Sequence, residues 1–235
     1  MSNIKIIREE VTKLLNSDNS GHGMEHINRV CKIAVSIIDD SSNKELVEAI
    51  ALLHDVDDYK LFGDECSKNL TNTKKILSQT NFREKEKNLI LNSIKTIGYS
   101  KRIDGVIPTI KEAMVVSDAD MLDAMGAIGI LRSYQYNIKH GNPFFDKESF
   151  PNIDMKSKEY KRKGKGSVVN HIFEKLLKLK DLMLTENGKN LAKRRFDFLI
   201  LFLHEYFEEE DASEWQEYLK DYLKKHPIKS NITIS

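Results

Sequence analysis

The sequence predicts an all-α fold, a helical bundle in a single domain, on three observations. Apolar residues recur at three- and four-residue steps through most of the 235-residue chain. Strand-type alternation is scarce. The main stretch without helical periodicity, residues 132–167, holds Gly141, Pro143 and Pro151 and is flanked by helical segments on both sides.

In order, the periodicity predicts helices over roughly 3–16, 24–39, 43–57, 66–79, 83–97, 109–131, 168–185, 188–209 and 212–224. The first is amphipathic, and a polar loop from Asp18 to Gly23 separates it from the second. The second carries Val30, Ile33, Ala34 and Ile37 on one face. The third contains Val47 and the run from Ala49 to Leu53, which marks a helix buried all round. Gly63-Asp64 breaks the chain after it. The segment 109–131 includes Val115, Val116, Ala119, Leu122, Ala124, Met125, Ala127 and Ile128. Residues 132–167, with the basic run Lys156 to Lys165, form a loop longer than about 12–15 residues, a length that in compact domains marks a functional lid or disorder, and the flanking helices favour a substrate-covering segment over a linker. Thr185 and Gly188 read as a short turn between helices. The metal-site core is expected within about 20–135, with the helices of 168–225 returning to the same core. Trp215, Tyr218 and Tyr222 either pack the last helix onto the domain or form a homodimer contact.

Composition narrows the function. Lys and Arg total 37 against 36 Asp and Glu, a net charge of +1, so no strongly basic nucleic-acid footprint is expected. Mean hydropathy is −0.47, and no apolar run reaches the roughly 20 residues of a membrane span. The N-terminus lacks the apolar core of a signal peptide. Two cysteines, Cys31 and Cys66, suit a reducing compartment better than a disulfide scaffold, so the expected location is cytoplasmic.

The chemistry concentrates in three segments. His54-Asp55 closes the buried helix, and a histidine beside a carboxylate is costly to bury unless something binds the pair. Imidazole nitrogen and carboxylate oxygen suit a divalent first-row metal. His26 lies on the apolar face of the second helix and is directed at the core. One such histidine alone is ordinarily a hydrogen-bonded core residue. Asp118, Asp120 and Asp123 stand in a nearly apolar helix. Asp118 and Asp120 diverge by about 200°, whereas Asp120 and Asp123 share a face. Asp118 and Asp120 should therefore not both face one ion, and the alternative for these acids is to cap neighbouring helices or pair with Arg102, Lys111 or Arg132. The order H…HD…D joins the separate signals into one.

The segments His26-Ile-Asn-Arg-Val, Leu-Leu-His54-Asp55 and Ala119-Asp120-Met-Leu resemble the three motifs of the HD-domain metal-dependent phosphohydrolase superfamily. The third matches that family's usual Ala-Asp-x-Leu form, which selects Asp120 over Asp118. The run from Asp118 to Ile130 and the run from His171 to Lys189 are similar to a compact bacterial subfamily acting on nucleotides. The resemblance spans about residues 20–210. Ile97-Gly-Tyr-Ser departs from it, standing where some relatives carry a His-Ser-Phe-like motif.

The resemblance implies that His26, His54, Asp55 and Asp120 hold one divalent ion, Mn²⁺ first, with Mg²⁺, Fe²⁺, Co²⁺ or Zn²⁺ as alternatives. It implies hydrolysis of a small nucleotide, a nucleoside triphosphate split to monophosphate and pyrophosphate by a metal-activated water. The alternatives are a nucleoside monophosphate phosphomonoesterase and a non-catalytic nucleotide sensor. A di-iron oxygenase would need further histidines, and the spacing of His22, His140 and His171 gives it no support. Asp58, four residues beyond His54, would share its face if the helix continued, and is expected to be catalytic with Asp55, orienting the attacking water or protonating the leaving group, with Asp57 as its rival. Arg29, three residues from His26, is expected at phosphate with Arg132, Lys60, His171 and Lys175.

Overall fold

Ile7, Val11 and Leu15 recur every fourth residue and are buried along one face of α1 (Asn3–Leu15). The computed structural model describes residues 2–15, 23–153 and 166–226. His22, the whole Lys156–Lys165 run and the tail from Pro227 lie outside the described residues. The described residues contain no β-strand, and none of their helices is long and apolar enough to cross a membrane. The backbone divides into two compact units, residues 1–123 with 184–188, and residues 124–183 with 189–235.

In the first unit α3 (Lys44–Leu53) is central. From Leu46 onward only Glu48 escapes burial, as a helix apolar on every side requires. It packs on α1, on α2 (Met24–Ile37), on α6 (Glu84–Ile94) and on α8 (Lys111–Asp123). Asn43 caps its start, accepting a hydrogen bond from Leu46 N at 3.2 Å. Glu112 of α8 accepts from Asn43 N at 2.9 Å, which ties the starts of the two helices together.

The expected helix over 43–57 ends at Leu53. The turn after it leads into α4 (Tyr59–Asn69), which contains the break expected at Gly63-Asp64, and then into α5 (Thr71–Leu77). The break is real, because Gly63 has φ +81 and kinks α4. Asp57 is the buried anchor of this corner. Its carboxylate accepts from Asn72 N, Thr73 N and the Thr73 hydroxyl, at 2.6–2.9 Å, closing the start of α5. A short α7 (Tyr99–Ile103) precedes α8.

The expected helix over 109–131 is two helices. Met125 is extended and Gly126 has φ +71, so the chain leaves α8 at Asp123 and starts α9 (Gly126–Lys139) in the second unit. Residues 132–139, expected as the start of a long loop, continue α9. The irregular segment begins at His140. The expected helix over 168–185 is likewise α10 (Val168–Glu174) followed by a 3₁₀ helix over Leu176–Leu182, with Lys175 off helical geometry between them.

The second unit is completed by α11 (Glu186–Glu209), whose first turn counts with the first unit, and α12 (Ser213–Lys225). Its core is aromatic. Phe150 stacks on Trp215 with centroids 4.5 Å apart, Phe145 meets the same indole edge-on at 5.0 Å, and Trp215 Nε1 donates to Lys147 O at 3.0 Å. Trp215 and Tyr222 are buried within the unit, so these two rings pack the last helix.

Candidate metal centre

His54 is the C-cap of α3. Its Nδ1 lies 2.8 Å from the carbonyl of Ala51, one of the acceptors a helix end leaves without an intrahelical donor. A carbonyl only accepts, so the proton is on Nδ1 and the lone pair of Nε2 points away from the helix. His26, in the first turn of α2, has its Nδ1 2.8 Å from Asp123 Oδ2 and presents Nε2 in the same direction.

Around these nitrogens the structure gathers the acids. His26 Nε2 is 3.3 Å from His54 Nε2, 3.4 Å from Asp55 Oδ2 and 3.5 Å from Asp120 Oδ1. His54 Nε2 is 3.7 Å from Asp55 Oδ2 and 3.8 Å from Asp120 Oδ1. The side chains of His26 and His54 are 3% and 1% exposed, those of Asp55 and Asp120 16% and 21%. The imidazoles therefore form the closed wall and the carboxylates the open side.

Two imidazoles and two carboxylates so close need a cation among them. At His26, burial works against the charged form, but the carboxylates of Asp123, Asp55 and Asp120 prevail and raise its pKa to about 9. A divalent ion meets the same demand with four ligands. Donors about 2.1 Å from an ion stand roughly 3.0–3.4 Å apart, close to the spacings seen here. The residues present fit such an ion.

Asp123, which shares a face with Asp120, is left by the sequence between a helix cap and a pair with a basic residue, and Arg29 is not among the partners the sequence offers. It is 1% exposed and accepts from Arg29, with Oδ1 2.6 Å from Nε and Oδ2 3.1 Å from Nη2. The signal was present in two matching steps, His26 to Arg29 on α2 and Asp120 to Asp123 on α8. Asp118 points elsewhere, as the 200° divergence predicts. It accepts from Leu184 N, Thr185 N and the Thr185 hydroxyl at 2.7–3.1 Å, capping the chain that enters α11. Burial pushes its pKa up while these hydrogen bonds pull it down.

Because α3 stops at Leu53, four-residue spacing does not put Asp58 on the face of His54. Asp58 is instead the N-cap of α4, its Oδ1 accepting from Lys60 N at 2.8 Å, and a turn bond from Asp58 N to Asp55 O at 3.1 Å keeps it beside the cluster's backbone. Its rival Asp57 is committed to capping α5. Lys60 is exposed, with its ammonium 5.9 Å from the Tyr59 ring centroid. Arg132, His171 and Lys175 are part-buried residues of the second unit. His171 and Lys175 do not share a helix face, since α10 ends between them; Lys175 N donates to His171 O at 3.0 Å.

Residues 23–125, the span that encloses the whole cluster, match the HD domain family. A solved structure of an HD-superfamily hydrolase from Bacillus thuringiensis is 32% identical, covers 89% of this chain and 97% of its own, and superposes with a TM-score of 0.69. The chain belongs to the HD superfamily of hydrolases. A solved protein from Lactobacillus plantarum is 33% identical to this HD hydrolase over 89% of this chain and 97% of the other, with a TM-score of 0.75. Bacillus subtilis YpgQ is 29% identical over 203 residues, 85% of this chain and 89% of YpgQ. The structure of YpgQ in complex with ADP covers 88% of this chain and 97% of its own, with a TM-score of 0.67 at 26% identity. HD domains bind a divalent metal, and His26, His54 and Asp120 form a group here that could hold one.

Proposed function

We propose that this HD hydrolase cleaves nucleoside triphosphates to the monophosphate and pyrophosphate, using one divalent ion held by His26, His54, Asp55 and Asp120. The observation that carries the proposal is the convergence of two imidazole nitrogens and two carboxylates within 3.3–3.8 Å. The nucleotide class is supported by similarity to YpgQ, whose structure holds ADP. Mn²⁺ is the ion we favour, because a mixed nitrogen and carboxylate set on a partly open site suits an octahedral ion.

A divalent ion bound there polarises a phosphoryl oxygen and acidifies water. The protein's own groups do the rest. Asp123 and Ala51 hold the two imidazoles with Nε2 toward the cluster. The partly exposed carboxylates of Asp55 and Asp120 face the side from which substrate enters. Asp58 is assigned the proton of the attacking water, and Lys60, two residues on, is assigned to phosphate. A reducing compartment suits Cys31 and Cys66, both free thiols, and we place the protein in the cytoplasm.

The test is a product-resolved hydrolysis screen with Mn²⁺, Mg²⁺, Co²⁺ or Zn²⁺ on nucleoside tri- and monophosphates, scoring pyrophosphate and phosphate separately. Pyrophosphate from triphosphates is expected, lost with metal binding in Asp55→Ala. Asp58→Asn should keep the metal and lower kcat about 10²-fold or more, the scale of one general acid–base contribution. Phosphate released from monophosphates alone would replace this reading with the phosphomonoesterase.

A further inference from the structure

We propose that Asp123 and Arg29 are a positioning pair that sets the tautomer and orientation of His26, so that Arg29 serves the metal centre rather than phosphate. The inference rests on the metal-site reading above.

Two helices present matching steps. His26 and Arg29 are three residues apart on α2, and Asp120 and Asp123 are three apart on α8, so one face of each helix meets the other across the centre. Asp120 reaches Nε2 of His26, and Asp123 reaches Nδ1 of the same ring from behind. Asp123 is a buried carboxylate, which survives only with donors on its oxygens. Arg29 supplies two from Nε and Nη2, in a side-on fork against Oδ1 and Oδ2. Arginine does not lose its proton in proteins. Both oxygens of Asp123 are thereby kept as acceptors, and the ring nitrogen they face must be the donor. His26 then carries its proton on Nδ1 and its lone pair on Nε2, the atom turned toward His54, Asp55 and Asp120. This is the carboxylate–histidine support that tunes metal ligands from outside the coordination sphere. The Nε and Nη2 edge of Arg29 is taken up by Asp123, and its Nη1 lies 3.9 Å from Glu25 Oε2, so the edge that would fork onto a phosphate from this side is already engaged.

The geometry makes an unusual demand on substitution. An asparagine at 123 has one acceptor oxygen, and the permanently protonated Arg29 claims it. The amide nitrogen then faces His26 Nδ1 and donates to it, which moves the ring proton to Nε2 and blocks that nitrogen as a ligand. Removing the guanidinium as well frees the amide to turn its oxygen to His26.

The experiment measures Mn²⁺ affinity, from the electron paramagnetic resonance signal of free Mn²⁺, for the wild-type chain and for D123N, R29M and R29M/D123N, each checked for folding by circular dichroism. D123N should bind Mn²⁺ about 10–100-fold more weakly, the range for lost ligand support. R29M/D123N should regain part of that loss. R29M alone should weaken Mn²⁺ binding several-fold. In Zn²⁺-loaded wild-type protein a downfield proton resonance from the His26 Nδ1–H is expected, and in R29M/D123N but not D123N it should persist. Wild-type affinity in D123N, or a double variant no better than D123N, overturns the proposal. If D123N does not fold, R29M decides alone. Unchanged Mn²⁺ affinity with a raised KM for triphosphate makes Arg29 a phosphate contact and overturns the proposal. Tight Mn²⁺ binding without nucleotide turnover would overturn the proposed function and leave the positioning pair standing. A wild-type chain that binds no Mn²⁺ overturns both.

Discussion

His26 is pulled in two directions. Burial opposes a charge on its ring, while three carboxylates draw a proton to it strongly enough to lift its pKa from 6.5 to about 9. The sign of the pH dependence follows. A group whose pKa is higher in the folded state stabilises the fold fully below its unfolded pKa, and that contribution fades as pH rises through the folded value. The metal-free protein should therefore lose stability between pH 6.5 and 9, read as a falling melting temperature in EDTA, with His26→Asn showing a flatter profile. Metal binding displaces the same proton, so Mn²⁺ affinity should rise over that window. An affinity independent of pH would show that His26 is not a ligand.

At the scale of elements, α8 sends its three aspartates to three different tasks. Asp120 faces the open side of the metal cluster, Asp123 backs His26, and Asp118 holds the start of α11 from the opposite face. The last contact leaves little room. A Cβ added to Gly188 would stand 2.3 Å from Asp118 Oδ2 and 2.7 Å from Thr185 Oγ1. That carboxylate is pinned by the Leu184 and Thr185 donors, so it cannot swing away without leaving two part-buried N–H groups unpaired. Gly188→Ala should cost about 1–3 kcal/mol, the range for overpacking, despite the better helix propensity of alanine. Chemical denaturation would measure it. A stabilised Gly188→Ala would mean that the Asp118 cap is not held as described.

For the whole molecule, the candidate metal centre brings together side chains from α2, the end of α3 and α8, elements far apart in sequence. An ion that binds this arrangement and not the unfolded chain stabilises the fold by mass action, by about 2.7 kcal/mol at a hundred times its Kd. For a chain of this size that is a rise in Tm of roughly 5–10 °C. Scanning calorimetry with Mn²⁺ against EDTA should show the shift in the wild-type chain and not in Asp120→Ala. An equal shift in both would place the ion elsewhere.

The sequence by itself determined the all-α class and the positions of the helices with sustained apolar periodicity, because burial of one helix face is written in local three- and four-residue steps. It also marked His26 and the His54-Asp55 pair, since polar groups stand out when their neighbours are apolar, while the resemblance to the third HD motif selected Asp120 among the acids of its helix. Where helices stop was less legible. The ends at Leu53 and Asp123 depend on single backbone turns, at Asp55–Asp58 and at Met125–Gly126, against stretches whose apolar pattern runs straight through. Only the tertiary structure decided what each acid does. Asp57, Asp58, Asp118 and Asp123 are alike in composition and context, and they differ in which distant donor meets them. Asp123 meets Arg29 and His26 from 94 and 97 residues away, a separation over which no local pattern carries information.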